Sequence, residues 1–358
     1  MEGSTCLSRL DGLRALGLDA EVLDTTAVLP PGPRLLRSLV QRTYFHPSVR
    51  RLNLQLESMV EKSRYDLVWV ERGEWIYPWT LSRVRKQGCA IVHYNTDDVF
   101  GTHGHFWLHR VGMRNYDLYL TTNRLNVPAI RDRFGIRSVR VAMGFDPVSC
   151  RPSDRPAAKE LDVVFVGHWE PHTEAYILAL RAAGIDVRVW GRNWWKARDL
   201  ALRNAVPLPH ADYAATIARA KIALCSLSRW NRNESTGRSF EIPAIGTMLL
   251  AERTAEHEFI YGHGRGAVLF STSRELVESA RYYLATPTAR EAIAAVGHEL
   301  STTPGHSWPD HIRREWPIIV RLLAQPGVNS EACEDSPFWP GFRNGVAPPH
   351  SSSIDRNR

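Results

Sequence analysis

With 358 residues, 44% of them hydrophobic and 23% charged, the chain is too apolar for intrinsic disorder and longer than one hydrophobic core needs, so two domains are predicted. Its formal charge of +7 suits an anionic ligand, a nucleic acid or an anionic membrane face without separating them. Cys6, Cys89, Cys150, Cys225 and Cys333 stand singly with no CxxC pair, and no apolar run is long enough to span a bilayer; a disulfide framework and a membrane span are excluded, and a soluble, cytoplasmic or at most peripheral protein is expected.

In chain order, the loop at Glu2, Gly3 and Ser4 leads into a helix marked by Leu7, Leu10, Leu13 and Leu16 and stopped by Gly17, and 20–23 reads as a short strand. This is the loop, helix and second strand of a βαβ unit whose first strand has no counterpart in the sequence. The expectation is a first domain lacking its first strand, through a truncated or misassigned start. Between Asp24 and Glu57 lie Arg34, Arg37, Arg42, Arg50 and Arg51 without an acid, beside Leu35, Leu36, Leu39 and Val40. Such a basic amphipathic helix at 34–51 is either a solvated face of a packed helix or a peripheral contact with an anionic membrane.

Strands follow at 65–70, 90–94, 118–122 and 138–142, separated by helices at 52–60, 81–87 and 127–134. This alternation predicts a parallel sheet with helices on both faces, in which ligands bind beyond the carboxyl ends of the strands. Glu71, Asp97 and Asp98 fall at such ends. The Pro-rich stretch 144–156 reads as a linker, giving domains at 1–147 and 148–324. The second domain has strands at 161–166, 187–190, 222–226, 247–251 and 267–270, with Gly167 and Arg192 just beyond the first two, and helices at 174–183, 212–219, 275–284 and 307–324. From 325 to 358 Pro, Ser, Asn and Gly dominate, and a mostly disordered tail is expected.

The densest segment runs from Asn231 to Glu252. Ser235, Thr236 and Gly237 form a polar turn, Ser239 reads as the N-cap of a short helix with Phe240, Ile242 and Ala244 inward, and Gly246 ends it. Amides converging on a helix start, with Arg238 beside them, make an anion site. Glu241 lies in an apolar stretch, where a carboxylate needs a hydrogen-bonding partner; a sugar diol or a salt bridge would serve. His103, His105 and His109 have no acid or thiolate close by, so no metal site is expected there. Trp169, Trp190, Trp194 and Trp195 suit either ligand stacking or packing.

Taken together, VVFVGHWEP at 163–171, VWGRNW at 189–194, SFEIPAIGTMLLAE at 239–252, GFDP at 144–147 and YNTDD at 94–98 resemble glycosyltransferases of the GT-B fold, in particular those with a CgeB-like C-terminal domain. The resemblance implies an α/β protein of two Rossmann-like domains facing across a cleft. The donor, a nucleotide-diphosphate sugar, would sit mainly on the second domain, with an unknown glycan, lipid or protein acceptor on the first, no cofactor and no catalytic metal. By position, Glu241 matches the ribose-binding glutamate, and Arg238 with the Ser235, Thr236 and Gly237 amides the diphosphate turn. Gly167 and Arg192 line the cleft, Gly3 and Ser4 approach the donor phosphates, and Asp97 and Asp98 orient or deprotonate the acceptor. Two departures stand out. Asn233 occupies the place of the usual first acidic residue, with Glu234 next to it, and His168-Trp169-Glu170 replaces the usual Arg and Lys after Gly167. An alternative is a catalytically silent nucleotide-sugar-binding protein of the same fold. No GxGxxG follows a strand, which counts against a dehydrogenase, and only 34–51 approaches a nucleic-acid-binding pattern.

Overall fold

The computed structural model describes residues 5–25, 28, 34–101, 107–152, 158–303 and 305–324. The predicted tail, Gly3, Ser4, His103 and His105 lie outside them.

The first sheet consists of β1 (Leu67–Glu71), β2 (Ala90–Asn95), β3 (Leu118–Thr121) and β4 (Arg137–Arg140), all parallel and in that order. Two-residue alternation sends Val92, Tyr94, Leu118 and Leu120 to one face. Ile91 and Tyr119 go to the other, against α3 (Pro47–Ser63) and α4 (Pro78–Lys86). The first face is covered by α13 (Trp308–Ala324), the last helix described, which crosses back from the second domain and also packs on α1 (Thr5–Ala15). The crossing is pinned where Phe145 and Ser307 bridge, with Trp308 N–H donating to Phe145 O at 2.9 Å.

The expected strand at 20–23 does not form: residues 18–25 are irregular and Val22 is exposed. Side chains hold this stretch instead: Arg14 donates to Ala20 O at 3.0 Å and Glu21 accepts from the Tyr65 hydroxyl.

The second sheet has β5 (Leu161–Val166), β6 (Val187–Trp190), β7 (Ala220–Cys225), β8 (Met248–Glu252) and β9 (Val268–Phe270) in the order β6-β5-β7-β8-β9, all parallel. Ile177 and Leu180 of α7 (Pro171–Ala182) cover one face beside Val163 and Phe165. Ile217 of α8 (His210–Ala218) and Phe240 and Ile242 of α9 (Gly237–Ala244) cover the other. Two further helices, α10 (Ala255–Tyr261) and α12 (Pro287–Thr302), were not predicted from the sequence. The strand order reverses between β5 and β7, which makes their carboxyl ends the switch point where ligands of such sheets bind.

Candidate active site

A cleft of about 500 Å³ opens where the carboxyl ends of the two sheets face each other. Its second-domain wall is built on α9. Thr236, not Ser239, is the N-cap residue. Ser239 sits at the third helical position, where its Oγ accepts the Thr236 N–H at 3.0 Å and contacts His257 Nε2 at 2.7 Å. The expected cap is therefore half of a reciprocal box, its hydroxyl turned back on the turn it follows. The Ser239 N–H is taken by Thr236 at 2.9 Å, which leaves the Gly237 and Arg238 amides at the positive end of the helix dipole without intrahelical acceptors.

Arg238 leaves that first turn to cross the switch point. Its Nη1 donates to Val166 O at 3.0 Å and its Nη2 to Ser226 O at 3.3 Å, and the guanidinium lies 5.2 Å from the Phe165 ring centroid. A Cβ on Gly167 would stand 2.7 Å from the buried Phe165 ring and displace this guanidinium, and a Cβ on Gly191 would collide with the Gly167 carbonyl. His168 stands beside both arginines: burial, Arg192 and Arg238 all push its imidazole below its ordinary pKa, so it is a neutral hydrogen-bonding group at physiological pH. Arg238, His168 and Thr236 line the cleft, whereas Gly167, expected to line it, packs behind Arg238, and Arg192 stands beside His168 outside the lining, as do Gly237 and Glu241. Ser235 is buried.

Glu241 lies one turn further along α9. Burial pushes its carboxyl above the usual carboxylate range, while Tyr213, Arg238 and His210 draw it back. Its Oε1 packs over Gly237, where a Cβ would stand 2.9 Å away.

On the first-domain wall the two candidate aspartates differ. Asp98 is 2% exposed and is held by Arg232, with Nε at 2.6 Å and Nη2 at 2.5 Å from Oδ2. Asp97 keeps a quarter of its side chain exposed to the cleft, accepting from Asn231 Nδ2 at 3.0 Å and pairing with Arg72 at 3.3 Å. The loop Asn231–Glu234 is the fastening between the domains. Asn233 Nδ2 donates to Thr96 O at 3.1 Å, and Asn123 Nδ2 donates to Asn233 Oδ1 at 2.9 Å. Glu234 faces Arg140 at 3.5 Å, so the acid next to the departed position serves the domain interface. Glu71, a candidate by its place at a strand end, turns away from the cleft to Arg9 (2.7 Å).

Arg72, Glu74 and Trp75 complete this wall and escaped the sequence reading. The signal was their position just after β1; what it could not show is that Arg72 and Gly73 both take left-handed backbone (φ 60° and 66°), which turns the chain into the cleft. His109 is buried and contacts the Tyr119 hydroxyl at 3.2 Å, and no metal-holding group of three or more His, Cys, Asp or Glu occurs among the described residues. Trp194 is fully buried with Nε1 donating to Gly167 O, and Trp169 Nε1 donates to Glu174. These two are packing residues.

Residues 173–314 match the family model described as glycosyl transferase-like, so the second domain carries a glycosyltransferase-like unit. Among solved structures, HepE of Anabaena in complex with UDP-glucose is similar at 14% identity, covering 90% of this chain and 97% of that one with a TM-score of 0.60. Sucrose-phosphate synthase of Thermosynechococcus elongatus is similar at 13% identity, covering 83% and 82%, TM-score 0.59. A glycosyltransferase of Rickettsia africae is similar at 10% identity, covering 91% and 95%, TM-score 0.59. No curated protein sequence matches. The chain has the GT-B arrangement: two parallel-sheet, Rossmann-like domains facing across a cleft.

Proposed function

We propose that the protein transfers a glycosyl group from a nucleoside-diphosphate sugar to a hydroxyl acceptor. The observation that carries this reading is the convergence of the α9 amino terminus, Arg192, Arg238 and His168 on the switch point of the second sheet, with Glu241 one helical turn away. The dipole and the arginines offset the charge that grows on a departing diphosphate, the part a metal ion plays in other transferases. Glu241 accepts from the ribose diol, and the HepE complex with UDP-glucose supports a nucleotide sugar as donor. The acceptor oxygen attacks the anomeric carbon as the bond to the diphosphate breaks. The electron pair leaves with the diphosphate, and in a retaining, same-face reaction its oxygen also takes the acceptor proton while Asp97 orients the hydroxyl. The CgeB-like subtype rests on 239–252, and retention and metal independence on the resemblance it carries. Residues 34–51 are offered as a peripheral contact with the inner face of the membrane; no described helix is long and apolar enough to cross one.

Calorimetry against UDP, GDP, ADP and dTDP and their sugars tests the donor site. Glu241→Ala is expected to weaken binding about 10- to 100-fold, the worth of one hydrogen bond to a charged acceptor. Because the carboxyl is held above its usual range, wild-type affinity should already fall as the pH drops through mildly acid values. A folded protein that binds none of these nucleotides would sink the reading, and binding without transfer or donor hydrolysis would point to the silent alternative. For Asp97→Asn we expect nucleotide affinity to hold while the transfer rate falls about 10²-fold; an unchanged rate would remove Asp97 from the reaction.

A further inference from the structure

We infer that the acceptor is an uncharged saccharide, seated on Trp75. This rests on the glycosyltransferase reading and gives its acceptor a chemical class. The first argument is charge. The chain is basic overall, yet its first-domain cleft wall is not: Arg72 is already paired with Glu74 at 2.5 Å and Asp97 at 3.3 Å, and Asp98 with Arg232. Two carboxylates against one guanidinium face the acceptor space, and a phosphate or uronate placed there would meet like charge. A polyol meets charge-assisted acceptors for its hydroxyls, with the Gln41 amide on the same wall.

The second argument is a preformed apolar platform. Trp75 lines the cleft half-buried, its ring set edge-on against the buried Tyr44 at 5.5 Å between centroids. An indole face complements the C–H face of a pyranose, and a saccharide needs both this face and hydroxyl acceptors within one ring's width. The loop carrying Trp75 is fixed rather than adaptable. Asn53, 3% exposed within α3, spends its amide on it, with Nδ2 donating to Trp75 O at 2.8 Å and Oδ1 accepting the Tyr77 N–H at 2.7 Å. At the other end Gly73 sits against Val70, His93 and the Tyr116 hydroxyl, leaving no room for a side chain. A buried amide, itself anchored on Val49 O of its own helix at 2.8 Å, thus fixes the backbone that carries a cleft-wall indole, which is preorganisation of a ligand contact.

The test prints neutral hexose and N-acetylhexosamine oligosaccharides beside the same chains carrying uronic acids or phosphates, and probes them with the full-length protein. Nucleotide binding is measured on the same samples by calorimetry. Selective binding to neutral glycans is expected, weakened about tenfold or more by Trp75→Leu and largely kept by Trp75→Phe, with nucleotide affinity unchanged in both. Preference for the anionic glycans, wild-type glycan binding by Trp75→Leu, or nucleotide binding with no glycan binding would each overturn the inference while leaving the donor reading intact. Loss of nucleotide binding in the wild-type protein would instead defeat the glycosyltransferase reading on which it stands.

Discussion

Replacing Arg9 with Met is expected to lower the free energy of unfolding by about 3–5 kcal/mol, the cost of stripping one partner from a buried ion pair. Arg9 is 2% exposed. Its guanidinium lies 4.4 Å from the centroids of both Tyr94 and Trp308, between strand β2 and helix α13, and gives Nε and Nη2 to the two oxygens of Glu71 at 2.7 Å each. One side chain thus joins α1, β1, β2 and the crossing helix. Methionine fills much of the volume but leaves the Glu71 carboxylate with only Trp69 Nε1 (3.0 Å) and Cys6 for company. Urea unfolding at neutral pH measures the loss. Glu71→Gln should cost less, since Glu71 keeps a fifth of its side chain in water and its amide still accepts one bond. The double variant Arg9→Met with Glu71→Met should recover part of the single loss, because no charge is then left buried alone. A loss under 1 kcal/mol for Arg9→Met would mean that the pair is solvated in solution and not the tie described.

That pair also shows where the sequence stopped being readable. The strands were legible, most to within two or three residues at either end, because each is a short apolar run closed by a turn former; β5 and β6 fall where their runs fall. Helices α10 and α12 were not, because Glu256, His257 and Arg290 break their apolar pattern and are nonetheless buried, Glu256 against Arg140 from the first domain, His257 against Ser239 and Arg290 on the Tyr283 carbonyl. Within the site, α9 and Glu241 could be found from local spacing. Glu71, Asp97 and Asp98 are alike at the level of sequence, three acids at strand ends. Only chain crossings sort them: Arg9, 62 residues before, claims Glu71, and Arg232, 134 residues on, claims Asp98. What remains facing the cleft is Asp97, with an arginine delivered by two left-handed residues that no local pattern announces.

The Glu315→Gln variant should be more stable than wild type at pH 9 by on the order of 5 kcal/mol, and within about 1 kcal/mol of it at pH 5. Glu315 of α13 is 1% exposed, and burial pushes its carboxyl up to about 8 against the help of Arg314, Arg9 and the Ala142 backbone. Tyr94 faces it from β2 and is itself driven upward, first by burial and then by this carboxyl. Below about pH 4.5 the group is protonated in both the folded and unfolded chain. Between there and pH 8 only the unfolded chain gives up the proton, so each pH unit removes about 1.4 kcal/mol of stability. Above 8 the folded protein ionises too and the loss levels off. The buried histidines work the other way. His109 is held at about 3, and His257 and His306 at about 4, chiefly by burial, so below pH 6.5 the unfolded chain alone takes up protons and stability falls as the pH falls. The two slopes overlap around pH 5–6.5, so a single wild-type curve cannot assign them. The difference between wild type and Glu315→Gln cancels the histidines and isolates the carboxyl. Urea unfolding at pH 5, 7 and 9 should show that difference growing with pH; a constant difference would mean that Glu315 is ionised throughout, held by Arg9 more strongly than its burial allows. The same helix passes the bridge at Phe145 and Ser307 where the two domains meet, so alkaline ionisation of this one carboxyl would loosen the crossing that keeps both cleft walls in register.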